Sequence, residues 1–518
     1  MSKVITAAQA AALVQDNATL ALQGAICTSV PEDLIQALAK RYRETKSPKN
    51  IMLFHETGIG DNAGGGCNAL AQEGLIGKLC CGHVGTIPKL QTMIQANQFP
   101  AYLIPQGVLA QMMRAIGGHK PGVLTTMGLH TYADPRVDGC KANEKAQHED
   151  IVERIELHGQ EYLLYKAFPI DVCFIRATTA DMRGNLSIER EAVRLDQLEI
   201  ATATHNSGGI VIAQVERISE ANSLSPHNVV VPGVLVDYIV IGSEEGMRQV
   251  MVEPKYRPEW SGELNVPMDV LAPMPLGLRK IIGRRAAHEM RNNDLVNLGI
   301  GMPEAVAAVA AEEGFFNQLT MSVECGIIGG VPASGLAIGC AHNPESIISH
   351  VNTFDIYDGG GIDIAILGAA EVDEAGNVNV SKFGGRIVGP GGFVNITQST
   401  QKIVFAGTFM AGKSEVEIGD GFLRIVEDAP NKKFVKQVEQ ITFNGAYAVQ
   451  QGKQVLFVTE RAVFQLVEGG LKLIEIAPGA ELQKDILDQM EFTPMIAEPL
   501  QQMNVRIFQK GKMEWSPQ

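Results

Sequence analysis

Asp171-Val-Cys-Phe-Ile-Arg-Ala-Thr-Thr-Ala-Asp-Met-Arg-Gly-Asn-Leu-Ser-Ile188 and Asp363-Ile-Ala-Ile-Leu-Gly-Ala-Ala-Glu-Val-Asp-Glu-Ala-Gly-Asn-Val-Asn-Val380 are two versions of one pattern. The first Asp, the apolar run, the second Asp and the Gly-Asn pair fall at the same offsets in both. Each reads as strand, loop, Gly-Asn turn and strand. A second coincidence precedes each copy. Leu20-Ala-Leu-Gln-Gly24 leads to Pro31-Glu32, and Val296-Asn-Leu-Gly299 leads to Pro303-Glu304. Proline in a first helical turn with an early Glu suits a helix N-terminus. Two features repeated in the same order predict duplicated halves.

The pattern extends outward from these stretches. Short β-branched runs read as strands over Thr19–Leu22, Ile51–Leu53, Val172–Ile175, Ile210–Ala213, Leu295–Leu298, Ile364–Leu367 and Ile403–Ala406. Helical stretches alternate with them, including Pro31–Tyr42, Leu278–Arg291 and Glu304–Glu313. This alternation predicts an α/β architecture of two similar open domains with mainly parallel sheets. The 518 residues suffice for two or more domains. We expect one domain over residues 1–241 and the second over 275–518. Gly242–Met274 carries Pro254, Pro258, Pro267 and Pro273 with Tyr256, Arg257 and Trp260, and reads as a linker. Gly118–Gln160, rich in His, Gly and charge, reads as an inserted loop.

Composition removes several function classes. Hydrophobic residues at 45% rule out global disorder. A net charge of −15, from 43 Lys and Arg against 58 Asp and Glu, argues against a bulk nucleic-acid binder. No stretch approaches the ~20 apolar residues of a membrane span. The most apolar segment, Val229–Ile241, is broken by Pro232 and Asp237. Thr6 followed by Gln9 reads as a capping box opening a helix, not as a signal peptide, so a cytoplasmic protein is expected. The eight cysteines form no CxxC and show no zinc spacing. His55-Glu56 and His148-Glu149 do not extend to HExxH. Reduced core thiols and no metal site are the expectation.

Gly407-Thr-Phe-Met-Ala-Gly-Lys413-Ser414 fits the P-loop string, yet Glu415-Val-Glu-Ile-Gly-Asp-Gly421 follows it. A P-loop needs a helix there to hold phosphate at its N-terminus. A hairpin turn is expected instead. Gly299-Ile-Gly301 opens like a dinucleotide fingerprint but lacks its last Gly, and Gly64–Gly66 and Gly359–Gly361 read as turns. Val388-Gly-Pro-Gly-Gly-Phe393 concentrates backbone donors, as close approach to an oxyanion requires. Met321-Ser-Val-Glu324-Cys-Gly326 ends an apolar run on a carboxylate before a tight turn. A charged group at the carboxyl end of a strand lies where open α/β sheets bind ligands. Cys325 is a candidate thiol, but it reads better as a small packed residue.

Together these residues resemble the family I coenzyme A transferases, within them the fused-chain propionate and acetate CoA-transferases of bacteria. The likeness covers nearly the whole chain. It rests on the two-half arrangement, Leu22-Gln-Gly24 with Pro31-Glu32, Pro105-Gln106-Gly107, Asn297-Leu-Gly-Ile-Gly-Met-Pro303, Glu324-Cys-Gly326 and Gly389-Pro-Gly-Gly-Phe393. The commoner family string has Asn between Glu and Gly, where this chain has Cys325. The resemblance implies Glu324 as nucleophile. It implies Gln106 and Asn297 as neutral amides, and the Gly392 and Phe393 backbone amides as oxyanion or substrate donors. It implies a site between the halves. The implied reaction moves CoA from a short-chain acyl-CoA to a small acid such as propionate, acetate or lactate. Its route is a glutamyl-CoA thioester with ping-pong kinetics. CoA is then a substrate, and no cofactor is called for. A homo-oligomer such as a tetramer is implied. An acyl-CoA hydrolase on the same fold, with water as acceptor, is the nearest alternative; a non-enzymatic acyl-CoA sensor and a P-loop NTPase stand further off.

Overall fold

A computed structural model describes residues 3–267 and 273–517. The chain divides into two compact units. The first takes the chain up to Val266 together with Val323–Asp355 and Arg386–Asn395; the second takes Pro267–Ser322, Ile356–Gly385 and the chain from Ile396. Two segments beyond the expected linker, one of them carrying Glu324, therefore fold with the first unit.

The first unit is built on a parallel sheet in the order Tyr238–Ile241, Ile210–Ser219, Val172–Asp181, Thr19–Leu22, Ile51–His55, Ile76–Cys81 and Ala101–Leu103. Val172–Asp181 is buried along its whole length, as a central parallel strand covered on both faces must be. Alternate residues supply two separate cores. Ala21, Phe54, Cys80, Cys173 and Ile175 enter one, while Leu20, Leu22, Leu53, Cys81 and Phe174 enter the other. The adjacent Cys80 and Cys81 thus face opposite layers, and all eight cysteines are free and buried.

The second unit repeats the plan. Thr320–Val323, Leu295–Leu298, Ile364–Leu367, Lys402–Ala406 and Gln454–Val458 run parallel in that order. Ala462–Val467 and Gly470–Ile476 continue the sheet antiparallel. The repeated aspartates do the same work in each unit. Asp171 Oδ2 accepts the Thr19 N–H at 2.8 Å, and Asp363 Oδ2 accepts the Leu295 N–H at 2.8 Å. Each thereby ties its strand to the neighbour that leads to the Pro-Glu helix. Asp181 Oδ1 accepts the Asn185 N–H at 3.0 Å, and Asp373 Oδ1 accepts the Asn377 N–H at 3.0 Å. These bonds close the same Gly-Asn turn twice.

Three readings are corrected. The block 118–160 is not a loop. Gly122–Thr125, Gln160–Lys166 and Val152–Leu157 form an antiparallel sheet whose Val123, Leu163 and Tyr165 are buried in the first unit's core. Gly242–Val266 is not a free linker. Asp33 accepts the Ser243 N–H at 2.6 Å, and Trp260 is buried with Cys27, Ala192, Val250 and Cys340. Residues 268–272 of that stretch lie outside the described residues. The helix expected over Leu278–Arg291 ends at Ala287, because the Glu289 and Met290 N–H groups turn back to Ala286 and Ala287.

Other readings stand. Thr6 and Gln9 form a full capping box. The P-loop string is followed by a strand, Glu415–Gly419, which pairs with Phe422–Glu427, so no helix N-terminus faces it. Gly65 and Gly66 donate their N–H groups to Asp61 and Glu32, carboxylates that leave no room for an anion there. Among the described residues no helix is long and apolar enough to cross a membrane.

Candidate active site

Glu324 follows the strand Thr320–Val323 and is half-buried. The turn after it requires glycine: Gly326 has φ 104°, its N–H reaches Val323 O at 3.1 Å, and a Cβ would run into the Ile348 carbonyl. Ile348 N–H in turn donates to Gly326 O at 2.8 Å. This contact sets the segment that enters the helix His350–Asp358 beside the Glu324 turn.

The carboxyl ends of the first unit's parallel strands supply the surroundings, as expected for an open α/β sheet. Glu56 follows Ile51–His55, Gly82 follows Ile76–Cys81, and Gln106 follows Ala101–Leu103 and opens the helix Gln106–Gly117. The Val388–Phe393 loop is laced to these ends. Val84 N–H donates to Val388 O at 2.7 Å, Gly391 N–H to Gly82 O at 3.0 Å, and Gln106 N–H to Gly391 O at 3.0 Å. The Gly392 N–H then donates to the Glu324 carboxylate. A side chain at 392 would strike Glu324 and the Phe354 ring, so the loop approaches the carboxylate as only glycine allows.

Behind Gln106 lies a buried charge cluster that sequence reasoning missed. His350 is fully buried. Its Nδ1 lies 2.6 Å from Asp196 Oδ2 and 3.5 Å from Glu56 Oε2, and its Nε2 lies 2.8 Å from the Gln106 amide. Asp196 Oδ1 also accepts the Val351 N–H at 2.8 Å, at the start of His350's helix. Burial alone would lower His350; the Asp196 charge and its hydrogen bond, then Glu56, reverse this and hold it up at about 10. Burial pushes Asp196 up, but His350 outweighs it and keeps Asp196 below its ordinary value. Glu56 is pushed well above its ordinary value by burial and by the Asp196 charge. These directions favour a cluster of one imidazolium and one carboxylate, with a proton retained on Glu56. The three donor atoms lie within 4.8 Å of one another. Both ring nitrogens of His350 are already committed, so we read the group as an ion-paired network.

Burial raises Glu324 above its ordinary value, and the His350 charge and the Gly392 N–H pull it back toward ionisation. Cys325 is buried with Ala25, Val193, Leu195, Ile327 and Ala341, and burial pushes its thiol well up. That is the chemistry of a packing residue, since the thiolate is the nucleophile. Phe393 donates its N–H to Pro390 O at 3.1 Å, closing the Pro-Gly-Gly turn. Asn297 belongs to the second unit. Its Nδ2 reaches the Tyr357 hydroxyl at 3.2 Å and Ser322 O at 3.5 Å, and its buried Oδ1 has no hydrogen-bond partner among the described residues. The first unit thus brings together Glu324, Gln106 and Gly392. Glu56, Asp196 and His350 join them from distant parts of the chain with no shared spacing to announce them.

The chain has well-covered relatives among known proteins. The family description "Coenzyme A transferase" matches residues 4–242. The chain is 45% identical over 513 residues to the caffeate CoA-transferase of Acetobacterium woodii, covering 98% of each chain. The chain belongs to the coenzyme A transferases, and it is an enzyme that moves CoA between an acyl-CoA and a carboxylate. Acetate CoA-transferase YdiF of Escherichia coli O157:H7 is 42% identical over 98% of this chain and 95% of its own. The crystal structure of the YdiF apoenzyme superposes with a TM-score of 0.95 at 41% identity, covering 100% of this chain and 98% of that one. A YdiF structure described as a thioester complex with CoA matches equally, with a TM-score of 0.95.

Proposed function

We propose that the enzyme transfers CoA from a short-chain acyl-CoA to a small carboxylic acid through a thioester on Glu324. A Glu324 oxygen attacks the acyl carbon, the carbon–sulfur bond breaks, and CoA leaves as thiolate, giving a mixed anhydride between Glu324 and the acyl group. The thiolate attacks the Glu324 carbonyl carbon. The donor acid leaves as carboxylate, with glutamyl-CoA remaining. An acceptor carboxylate reverses both steps. One thioester replaces another, so the reading calls for no ATP, metal or cofactor.

The observation that carries this reading is the Gly392 N–H on the Glu324 carboxylate, beside the His350 charge. A backbone donor at that carbonyl stabilises the oxyanion formed when thiolate attacks it, at roughly 3–4 kcal/mol for a well-placed donor. The Gln106 amide suits the substrate's oxyanion, since it donates without bringing a charge. The Phe393 N–H closes its own turn on Pro390 O and Asn297 folds with the second unit, so the proposed donor set is the Gly392 N–H and the Gln106 amide. The acids named for the relatives, acetate and caffeate, bracket the acceptors to test, with propionate and lactate between them. A cytoplasmic homo-oligomer fits the same reading.

Incubation with acetyl-CoA or propionyl-CoA, without acceptor, should leave a CoA adduct that peptide mass spectrometry places on Glu324. Borohydride should reduce it to the alcohol and abolish activity. Glu324→Gln should lose the adduct and nearly all transfer, because a neutral amide is a very poor nucleophile. An adduct on Cys325, or full transfer by Glu324→Gln, would overturn the proposal. Rapid release of free CoA without an acceptor acid would point to the hydrolase instead.

A further inference from the structure

The Gln106 amide has two isosteric ends with opposite chemistry. Its Nε2 end is placed against His350 Nε2, at 2.8 Å. Its Oε1 end lies toward the glycine loop, where a Cβ on Gly391 would be 3.6 Å from it. The next residue, Gly392, is the one that donates to Glu324. Only an NH2 on the loop side can stabilise an oxyanion there. Which end faces the loop depends on His350. Its Nδ1, 2.6 Å from Asp196, carries a proton in either state. A bare Nε2 would accept from the amide NH2 and leave the carbonyl on the loop side. A protonated Nε2 cannot face an NH2, since both would donate; it donates to the carbonyl and turns the NH2 toward the loop, the reverse of the placement above, by a half-turn of the isosteric amide.

We propose that His350 is a positioning residue: as an imidazolium paired with Asp196 and Glu56, it turns the Gln106 amide so that its NH2 faces the reacting acyl oxygen. The groups around the ring support the charged state. Asp196 and Glu56 face Nδ1, Glu324 feels the ring's charge, and the Phe354 ring packs edge-on at 5.0 Å. Glu56, kept protonated, hydrogen-bonds to Asp196, so the dry cluster holds one negative and one positive charge and needs no counterion. His350 titrates at about 10, so the amide stays turned throughout the neutral range. The same charge favours the ionised form of Glu324. Removing it would therefore raise the acid limb of activity as well as release the amide.

This inference rests on the reading of Glu324 as nucleophile and Gln106 as oxyanion donor, and its test separates the two. The assay is kcat/KM for propionyl-CoA between pH 7 and 10.5 in wild type, Gln106→Ala, His350→Gln and the double variant. The ratio of wild type to Gln106→Ala cancels titrations of the substrate. That ratio should be roughly ten- to a thousandfold at pH 7 and should collapse with a midpoint near the His350 value of about 10. A ratio that stays constant across this range overturns the proposal. His350→Gln should lose roughly ten- to a thousandfold in the wild-type background but under about threefold in Gln106→Ala at pH 8, because coupled residues are not additive. Fully additive losses also overturn it. Should His350→Gln not fold, the pH ratio of the two remaining enzymes decides alone. The borohydride-trapped Glu324 adduct in wild type is the control. Its absence refutes the Glu324 reading, whereas its presence with a constant ratio refutes only the role given to His350.

Discussion

Gly392→Ala tests the glycine loop without changing any charge. The added Cβ would sit 2.7 Å from Glu324 Cδ and 3.0 Å from Phe354 Cζ. Carbon atoms in ordinary contact are ~3.5–4.0 Å apart, so the Glu324 carboxyl must move by about 1 Å. Phe354 cannot absorb the strain, because its ring is held edge-on against His350 and is fully buried. A displacement of ~1 Å at a nucleophile costs ~10²-fold in rate. Loss of the Gly392 hydrogen bond would add to this as the carboxylate retreats. The backbone at 392 lies outside the left-handed region, so folding should survive. The assay is single-turnover formation of the trapped Glu324 adduct, with circular dichroism to check the fold. Adduct formation should slow by about a hundredfold, or more where the hydrogen bond is also lost. A well-folded Gly392→Ala enzyme with an unchanged rate would refute the placement of this loop against the nucleophile.

Two further outcomes follow from the same cluster. Cys325→Ala should keep transfer within a few-fold and lower the thermal midpoint slightly, since the thiol packs among Ala25, Val193, Leu195, Ile327 and Ala341; loss of the covalent adduct would restore Cys325 as a nucleophile. Asp196→Asn leaves the buried imidazolium without its partner and should destabilise by roughly 3–5 kcal/mol at neutral pH, read by chemical denaturation. The sign with pH is fixed by His350, which is raised from 6.5 to about 10 on folding. Its contribution is complete below pH 6.5 and fades as pH climbs through about 10. The gap between wild type and Asp196→Asn should therefore narrow over that window, and a gap independent of pH would refute the ion pair.

Asp171 and Asp363 show why so much of the fold was legible in the amino-acid sequence. Each bonds a backbone N–H of the adjacent strand, and Asp181 and Asp373 each close a Gly-Asn turn a few residues long. Such features are local or repeat at fixed offsets, so duplication leaves them visible. Glu324 was legible for the same reason: a strand end, a carboxylate and Gly326 are consecutive. The extent of the helix from Leu278 and the sheet within 118–166 were not, because turn bonds at Ala286 and Ala287 and cross-strand pairing decided them.

By itself the sequence determined an α/β protein with two similar halves, a strand-end Glu324 and a glycine loop rich in backbone donors, because periodicity and turn chemistry act over a few residues. Only the tertiary structure decided what surrounds that carboxylate. Residues 323–355 and 386–395 return to the first unit, and the Val388–Val84 and Gly391–Gly82 backbone bonds bring Gly392 to Glu324. Glu56, Asp196 and His350 come from three separate parts of the chain and meet in a dry core. There, removal of water turns three ordinary side chains into an imidazolium, a carboxylate and a neutral acid, a distribution of protons set by burial and mutual distance that no spacing along the chain encodes.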